Sequence, residues 1–201
     1  MREALQHDAV QSLPVLSGVE RARLLTLARR VLEAHTRGQA PPAVPLDSPG
    51  LNAPRGCFVT LTERGPDKRL RGCCGEYVPR RALAEAVARM TVVSATEDPR
   101  FPPVTGAEAG GLRMEISALT ALQPIRPEQV EVGRHGLLLR TPRAAGLLLP
   151  QVPVDWGWDV PTFLHQLCVK AGVPDGAYAR PDAEMLGFEA DVWGEEEWRD
   201  G

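Results

Sequence analysis

A predicted β-hairpin at residues 57–75 constrains the fold more than any other feature of the sequence. It begins with CFVTL, a run of strand formers, continues through the turn residues of ERGPDK, and returns as RLRGCCG. A turn centred on residues 65–66 would place Cys57 opposite Cys74. Because an isolated hairpin is marginally stable at best, the chain must build a larger sheet and cover one of its faces.

The alternation of side chains assigns the hairpin residues to two faces. The apolar face, which is expected to point into the core, contains Cys57, Val59, Leu61, Leu70 and Cys74. The opposite face contains Phe58, Thr60, Arg71 and Cys73. Gly72 and Gly75 carry no side chain and would allow a second backbone or a ligand to approach the strand closely.

The other periodic segments mix helices with strands. Helices are predicted over three segments, 17–38, 79–95 and 161–172. Strands are predicted at 112–119, in a second hairpin at 135–150, and at 185–193. A proline-rich connector, 39–56, is expected to run extended over the surface. This mixture predicts an α+β fold with a largely antiparallel sheet flanked by helices.

Length, charge and cysteine content exclude several classes of protein. The 201 residues predict one domain over 1–201 and leave a division into two lobes open. The net charge of −3 creates no field that would attract nucleic acid or an anionic membrane, so nucleic-acid binding is not expected. No apolar run reaches the length of about 18 residues that spans a bilayer, and MREALQHDAVQSLPVL shows no secretory signal. The four cysteines are therefore expected to be reduced thiols in the cytoplasm.

Cys73 is the candidate nucleophile. A thiol reacts as its thiolate, and a nearby guanidinium favours that form. Arg71 would lie on the same face, about 6–7 Å away by the rise of a strand. The alternative is that Cys73 is a small buried residue, which is how free cysteine usually behaves. The four histidines are isolated in the sequence, so we predict no metal site and no cofactor, and a general base for Cys73 would have to come from a distant segment.

The stretch EDPRFPP, 97–103, follows the predicted end of the second helix. The two prolines after Phe101 stiffen the chain where it leaves this stretch. One interpretation is a rigid loop that presents Glu97, Asp98 and Arg100 to a cleft. The other is simple helix termination, in which Arg100 pairs with a carboxylate. The sequence favours neither interpretation over the other.

The order of these segments resembles a known family. CFVTL, LRGC-x-G, EDPRFPP, LPQV, WGWD, FL-x-x-LC-x-KAG and a final strand follow one another over about residues 19–193. This arrangement is similar to that of the AmmeMemoRadiSam system protein A family, whose members have an AMMECR-one-type domain. The resemblance implies an α+β domain with a lobe beside the main sheet and a cleft near LRGC-x-G. It also implies two partners, a Memo-like protein and a radical SAM protein, in a shared modification pathway.

The resemblance also identifies signature positions. They are Leu70, Arg71, Gly72, Cys73 and Gly75 in the first motif, and Glu97, Asp98, Pro99, Arg100, Phe101 and Pro102 in the second. Cys74 departs from the family pattern, which has isoleucine there, and this departure indicates a core substitution. The predicted catalytic residues are Cys73 and Arg71, and the predicted binding residues are Gly72, Gly75, Glu97, Asp98, Arg100 and Phe101.

Two classes of function remain open. The first is a cysteine-dependent enzyme that acts on a protein or on a small metabolite. The second is a binding or adaptor module that recognises a ligand or a partner protein through the LRGC-x-G cleft. The signature cysteine favours the enzyme. The chain lacks the cluster-binding motif of radical SAM proteins, so any radical chemistry would belong to a partner.

Overall fold

A computed structural model describes residues 13–65 and 67–195 of the chain. Within these residues the α-helices are Gly18–Thr36 (α1), Pro49–Asn52 (α2), Leu83–Thr96 (α3), Gly106–Ala109 (α4), Gln151–Asp155 (α5) and Val160–Ala171 (α6). The strands are Cys57–Glu63 (β1), Leu70–Glu76 (β2), Leu112–Leu119 (β3), Gln123–Pro124 (β4), Gly136–Arg140 (β5), Ala145–Leu148 (β6), Glu184–Phe188 (β7) and Ala190–Gly194 (β8). No helix in the described residues is both long and apolar enough to cross a membrane.

The strands form two antiparallel sheets of four strands each. The first has the order β2-β1-β3-β8, and the second has the order β4-β7-β5-β6. The chain leaves the first sheet after β3, builds the second sheet, and returns to the first with β8, which pairs with β3. The predicted α+β class is therefore confirmed, and the strands divide between two sheets.

The first sheet is covered on one face by α1 and α3. A capping box starts α1, because Glu20 N–H donates to the Ser17 hydroxyl and the Glu20 carboxylate accepts from Ser17 N–H. Hydrogen bonds from Ser48 and Ser17 lower the pKa of Glu20 to about 2. The inward residues of β1, Cys57, Val59 and Leu61, are fully buried under these helices. The predicted core face of the hairpin is therefore confirmed for β1.

The second predicted helix begins later than the sequence indicated. Leu83 is its first helical residue, because the preceding residues pair with the proline-rich connector. Ala82 forms a bridge with Pro54, and Leu83 N–H donates to Ala53 O at 3.0 Å. The connector is also less exposed than expected, since it contains α2 and buries Leu51 completely.

The second sheet is packed against α6. Asp159 caps the start of this helix by accepting from Thr162 N–H at 2.9 Å. Gly172 ends it in the left-handed conformation, with a φ of 69°, at the end of the predicted segment 161–172. The inward side chains of α6 and β5 share one apolar core; among its members are Leu137, Leu139, Phe163, Leu164, Leu167 and Cys168. This lobe is the smaller unit that the sequence predicted beside the main sheet.

A third apolar cluster joins the two sheets. It contains Leu119, Leu149 and Phe188, and the half-buried Phe58 and Tyr77 pack against it. Phe58 belongs to the face of the first sheet that α1 and α3 leave uncovered. The free face of the hairpin, where Cys73 was predicted to lie, therefore points towards the second lobe.

The register of the hairpin differs from the prediction. Cys57 pairs with Glu76, two residues beyond the predicted Cys74, and Val59 pairs with Cys74. The pairing shifts again after Leu61, so that Arg71 has no opposite residue on β1. A bulge of this kind bends the strand and redirects the side chain of the extra residue. The bulge interrupts the alternation of side chains between Arg71 and Cys73. Simple alternation therefore no longer places these two side chains on the same face of β2.

Candidate functional site

The two signature stretches lie against each other, with Asp98 at their junction. Asp98 is buried, and its Oδ2 accepts from Cys73 N–H at 2.9 Å. The same carboxylate accepts from the Arg100 backbone N–H and from its guanidinium at 2.7–3.1 Å. The hydrogen bonds from Arg100 hold the pKa of Asp98 well below its ordinary value, and the hydrogen bond from the Cys73 amide adds to this. The loop after α3 is therefore anchored to the edge of β2 by an ionised carboxylate.

Arg71 points into this loop and not towards Cys73. It is 8% exposed. Its Nη1 donates to Pro102 O at 2.9 Å, its Nη2 to Pro103 O at 3.5 Å, and its Nε to Glu108 Oε1 at 3.1 Å. Hydrogen bonds from Thr105 and then from Arg71 lower the pKa of Glu108 to about 2. Arg71 therefore holds the proline-rich loop and α4 together, and its donors are engaged there.

Phe101 lies between the two arginines of this site. The Arg71 guanidinium is 5.9 Å from the centre of the Phe101 ring, and that of Arg100 is 5.5 Å away. Glu97 caps the C-terminus of α3 and is exposed. Of the predicted binding residues, Asp98, Arg100 and Phe101 are thus brought together with Arg71, whereas Glu97 points to solvent. The pairing of Arg100 with a carboxylate matches the helix-termination interpretation of EDPRFPP.

Cys73 and Cys74 lie on opposite faces of β2, as the alternation predicted. Cys73 is paired with Thr60, whose hydroxyl donates to Cys73 Sγ at 3.3 Å. Burial raises the pKa of the Cys73 thiol, while the Thr60 hydrogen bond and the charge of Arg100 oppose this shift. The thiol is therefore biased towards its protonated form, which is the opposite of what an Arg71-stabilised thiolate would require.

The backbone of Cys74 is hydrogen-bonded to Ser94 of α3, the helix that covers the core face of the first sheet. Its backbone N–H donates to Ser94 Oγ at 2.9 Å, and Ser94 Oγ donates to Val59 O at 2.7 Å. The serine hydroxyl therefore lies between β1 and β2 and links their backbones. Cys74 is half-buried, and burial raises the pKa of its thiol. It lies on the Val59 face, where the sequence predicted a core substitution.

The two glycines of the motif make room for groups of the protein itself. A Cβ on Gly72 would lie 2.2 Å from the backbone oxygen of Ser94, so α3 could not pack as closely on β2. A Cβ on Gly75 would lie 2.3 Å from the ring of Phe58. The predicted close approach is therefore present, but the approaching groups are a helix backbone and an aromatic ring.

The structure adds Glu115 and Gln151 to the residues that the sequence indicated. Glu115 of β3 pairs with Thr60, so Cys73, Thr60 and Glu115 form a row across three strands on one face. Burial and the charge of Asp155 raise the pKa of Glu115. Gln151 of α5 lies over this face; its Nε2 donates to Ser117 Oγ at 3.4 Å, and its buried Oε1 has no hydrogen-bond partner among the described residues.

The alternation of β3 already placed Glu115 on the polar side of its strand. What the sequence lacked was the pairing of β3 with β1, which brings Glu115 next to Thr60. Gln151 belongs to the LPQV stretch of the family resemblance, but no local pattern predicted that α5, a short helix after a proline, would lie over this face. Among the described residues no group of three or more His, Cys, Asp or Glu side chains could hold a metal ion.

The fold and the site define a class of protein: an α+β domain of two antiparallel sheets, in which an R-G-C edge strand is tied to a proline-flanked loop. The AMMECR1 family model matches residues 25–193. The chain belongs to the AMMECR1 family.

Relatives from archaea share most of this chain. A protein of Thermococcus gammatolerans is 42% identical over 182 residues, which cover 86% of this chain and 89% of the relative. Protein MK0488 of Methanopyrus kandleri is 45% identical over 151 residues, or 71% and 72% of the two chains. The crystal structure of the uncharacterised protein PH0010 from Pyrococcus horikoshii is similar in fold, with a TM-score of 0.82 and 39% identity, and the match covers 87% of this chain and 91% of that one.

Proposed function

We propose that this AMMECR1-family protein is a recognition module that binds a ligand or a partner protein through the sheet face that contains Cys73. The observation behind the proposal is that the groups around the thiol are already engaged. The amide of Cys73 donates to Asp98, the amide of Cys74 donates to Ser94, and Arg71 is bonded to the loop. A catalytic cysteine needs a stabilised thiolate and free donors for the charge that develops on its substrate.

The recognition surface consists of the row Cys73, Thr60 and Glu115, bordered by Gln151. A thiol, a hydroxyl and a carboxyl in one row offer both donors and acceptors of hydrogen bonds. Gln151 borders this row, and its buried Oε1 has no hydrogen-bond partner among the described residues. We propose a polar group with N–H or O–H donors, such as an exposed peptide backbone, as the matching chemistry.

The family resemblance supplies candidates for the partner. We propose the Memo-like protein and the radical SAM protein, with this chain as the adaptor or as the carrier of their substrate. The proposal places the protein in the cytoplasm, where the free thiols that the structure shows would stay reduced.

A cysteine-dependent enzyme that acts on a protein or a small metabolite is the second candidate, and Glu115 favours it. A carboxyl with a raised pKa accepts a proton more readily than an ordinary one, and Glu115 lies one strand beyond Thr60 in the row that starts at Cys73. In this alternative Cys73 is the nucleophile, and Arg71 supports it only through the loop that it holds.

Two substitutions of Cys73 separate the candidates in a strain that lacks the gene. Cys73→Ser keeps the size and the hydrogen-bonding capacity of the side chain but removes the nucleophile, whereas Cys73→Trp blocks the face. A recognition module predicts that Cys73→Ser complements and Cys73→Trp does not, provided that both proteins are folded. Loss of complementation by folded Cys73→Ser would overturn the proposal in favour of the enzyme. Cys74→Ser, on the other face, is the matched control.

A further inference from the structure

A cleft of about 1010 Å³ lies between the segment that precedes α1, the strands β4 and β7, and the loop between β4 and β5. Among the described residues that line it, none belongs to the segment 57–103. It is therefore separate from the Cys73 face. Its size is at the upper end of the range of small-molecule sites, which is about 300–1,000 Å³.

One wall of the cleft is apolar. Its side chains come from the segment before α1, from the residues that follow β3, and from β7; they include Leu13, Pro14, Leu16, Ile125 and Phe188. Leu16 and Phe188 are almost completely buried, so this wall is part of the packed structure and is already formed without a ligand. A preformed apolar wall with a few polar groups is typical of a small-molecule site.

Arg55 lies in the cleft with unused donor capacity. It is 5% exposed. Its Nε donates to Leu119 O at 3.1 Å, and its Nη2 and Nη1 lie 3.4 Å and 3.5 Å from Ala118 O and Pro14 O. Its hydrogen-bond acceptors among the described residues are thus all backbone carbonyls, two of them distant. Since a guanidinium has five N–H donors, an anion could still bind to this group.

Arg21 provides a second guanidinium in the same cleft. Its Nη2 donates to Asp191 Oδ2 at 2.9 Å, and its Nε is buried without a hydrogen-bond partner among the described residues. A buried donor without an acceptor costs free energy. Asp191 engages Nη2 of Arg21, and its charge also acts on Arg55.

The other charged residues of the cleft neutralise one another. Arg134 Nε donates to Glu189 Oε1 at 2.7 Å, and its Nη1 donates to Glu131 Oε1 at 3.1 Å. The cleft therefore has its unfilled donors at Arg55 and Arg21, and its paired charges around Arg134. This asymmetry gives a ligand a single orientation, with its negative group at Arg55 and Arg21.

We propose that this cleft binds a small organic anion with an apolar body. The anionic group accepts hydrogen bonds from the Arg55 guanidinium and is attracted by the charge of Arg21, and the body lies along the wall formed by Pro14, Ile125 and Phe188. Carboxylates and phosphate monoesters share this chemistry, because both have oxygens that match the planar guanidinium. The site is independent of the proposed recognition of a partner at Cys73.

Calorimetric titration of the full chain with three probes tests the proposal. The probes are octanoate, octyl phosphate and octan-1-ol, which share an apolar body and differ in charge. At least one anion is expected to bind saturably with one site, and octan-1-ol at least about tenfold more weakly, because charge-assisted hydrogen bonds are lost. The tighter of the two anions identifies the ligand as a carboxylate or a phosphate.

Two matched variants test the assignment to residues. Arg55→Met keeps the apolar stem of the side chain but removes its donors, and it should weaken anion binding at least about tenfold. Arg134→Met removes a guanidinium from the same cleft whose donors are already paired, and it should change the affinity by less than about threefold. Circular dichroism verifies the folding of both variants, and Arg21→Met replaces Arg55→Met if the latter is unfolded.

The chemical shifts of the Gly187 and Phe188 amides give a test that needs no variant, because both residues line the cleft. These chemical shifts should change as anion is added, and the change should be half complete at the same anion concentration that gives half-saturation in calorimetry. The proposal is overturned if octan-1-ol binds as tightly as the anions, if none of the three probes binds, or if Arg134→Met weakens binding as much as Arg55→Met.

Discussion

The carboxylate of Asp98 accepts the backbone N–H of Cys73 at 2.9 Å and thereby fastens the loop after α3 to the edge strand of the first sheet. β2 is an edge strand, since it pairs only with β1 among the described strands. Edge strands expose N–H groups that other chains can pair with. Asp98 accepts a hydrogen bond from one such N–H group within the same molecule. The free energy of unfolding should therefore depend on this hydrogen bond.

Asp98→Ala should lower the free energy of unfolding by about 1–3 kcal/mol, because the Cys73 amide loses its acceptor in a half-buried position. Urea denaturation monitored by circular dichroism measures the change. Glu97→Ala is the control at the neighbouring, exposed position and should stay within about 0.5 kcal/mol of the parent. Equal effects of the two substitutions would show that the Asp98 contact contributes nothing.

The stabilisation by Asp98 should depend on pH. In the unfolded chain the pKa of an aspartate is about 3.9. In the folded chain the Arg100 hydrogen bonds hold the pKa of Asp98 well below this value. A carboxyl with a lowered folded pKa stabilises fully above the unfolded pKa and less as the pH falls towards the folded one. The difference in unfolding free energy between the parent and Asp98→Asn should therefore be constant above about pH 5 and shrink below about pH 4. A difference that grows on acidification would contradict this assignment.

Arg71→Met should destabilise the protein without slowing the alkylation of Cys73. The substitution removes hydrogen bonds to Pro102, Pro103 and Glu108, and bonds that involve a charged group contribute about 1.5–3 kcal/mol. Iodoacetamide labelling under folding conditions, followed by mass spectrometry, measures the rate at Cys73. Arg80→Met, at an exposed position, is the control for both measurements. A clear decrease in labelling would revive the hypothesis that Arg71 stabilises a thiolate.

Gly72→Ala should be among the most damaging small substitutions in the chain. The added methyl group would lie 2.2 Å from the Ser94 backbone oxygen, and neither the helix nor the strand can move easily. A loss of about 1–3 kcal/mol or more is expected from overpacking. Gly110→Ala is the matched control, since nothing lies within 4 Å of a Cβ there and the backbone is right-handed helical. Similar melting temperatures for both variants would show that α3 and β2 do not pack as described.

Cys74→Ile should be tolerated, with a change in unfolding free energy within about 1.5 kcal/mol. Cys74 lies on the Val59 face and is half-buried, so the larger side chain has an apolar surface to contact and partial access to solvent. Its backbone contact with Ser94 does not involve the thiol. Chemical denaturation measures the change, and complementation should survive it. Loss of folding would show that the core side of β2 has no room for a branched residue.

Much of the fold follows from local patterns. The helix that starts after Ser17, the helix that ends beside Gly172 and the strand at 112–119 were all predicted and are all present. The opposite orientations of Cys73 and Cys74 were also predicted, because side chains alternate along any strand whatever its partner. These features depend on residues close together in the chain, and the sequence alone therefore determines them.

These local patterns did not predict how distant segments of the chain pair with one another. Residues 185–193 alternate like one strand, yet the chain changes sheets at Glu189, whose backbone N–H and C=O are both bonded to Thr120. Likewise the bulge at Arg71 redirects a guanidinium that simple alternation placed beside Cys73. In each case the loop or strand that supplies the hydrogen bonds comes from elsewhere in the sequence.

The sequence by itself determined the longer helices and strands and which side of β2 each cysteine occupies. The tertiary structure decided what those cysteines contact: Asp98 at the Cys73 amide, Ser94 at the Cys74 amide, and Glu115 beyond Thr60. The physical reason is that backbone hydrogen bonds and apolar periodicity act over a few residues. The register between strands and the choice among buried donors and acceptors depend on the packing of the whole core.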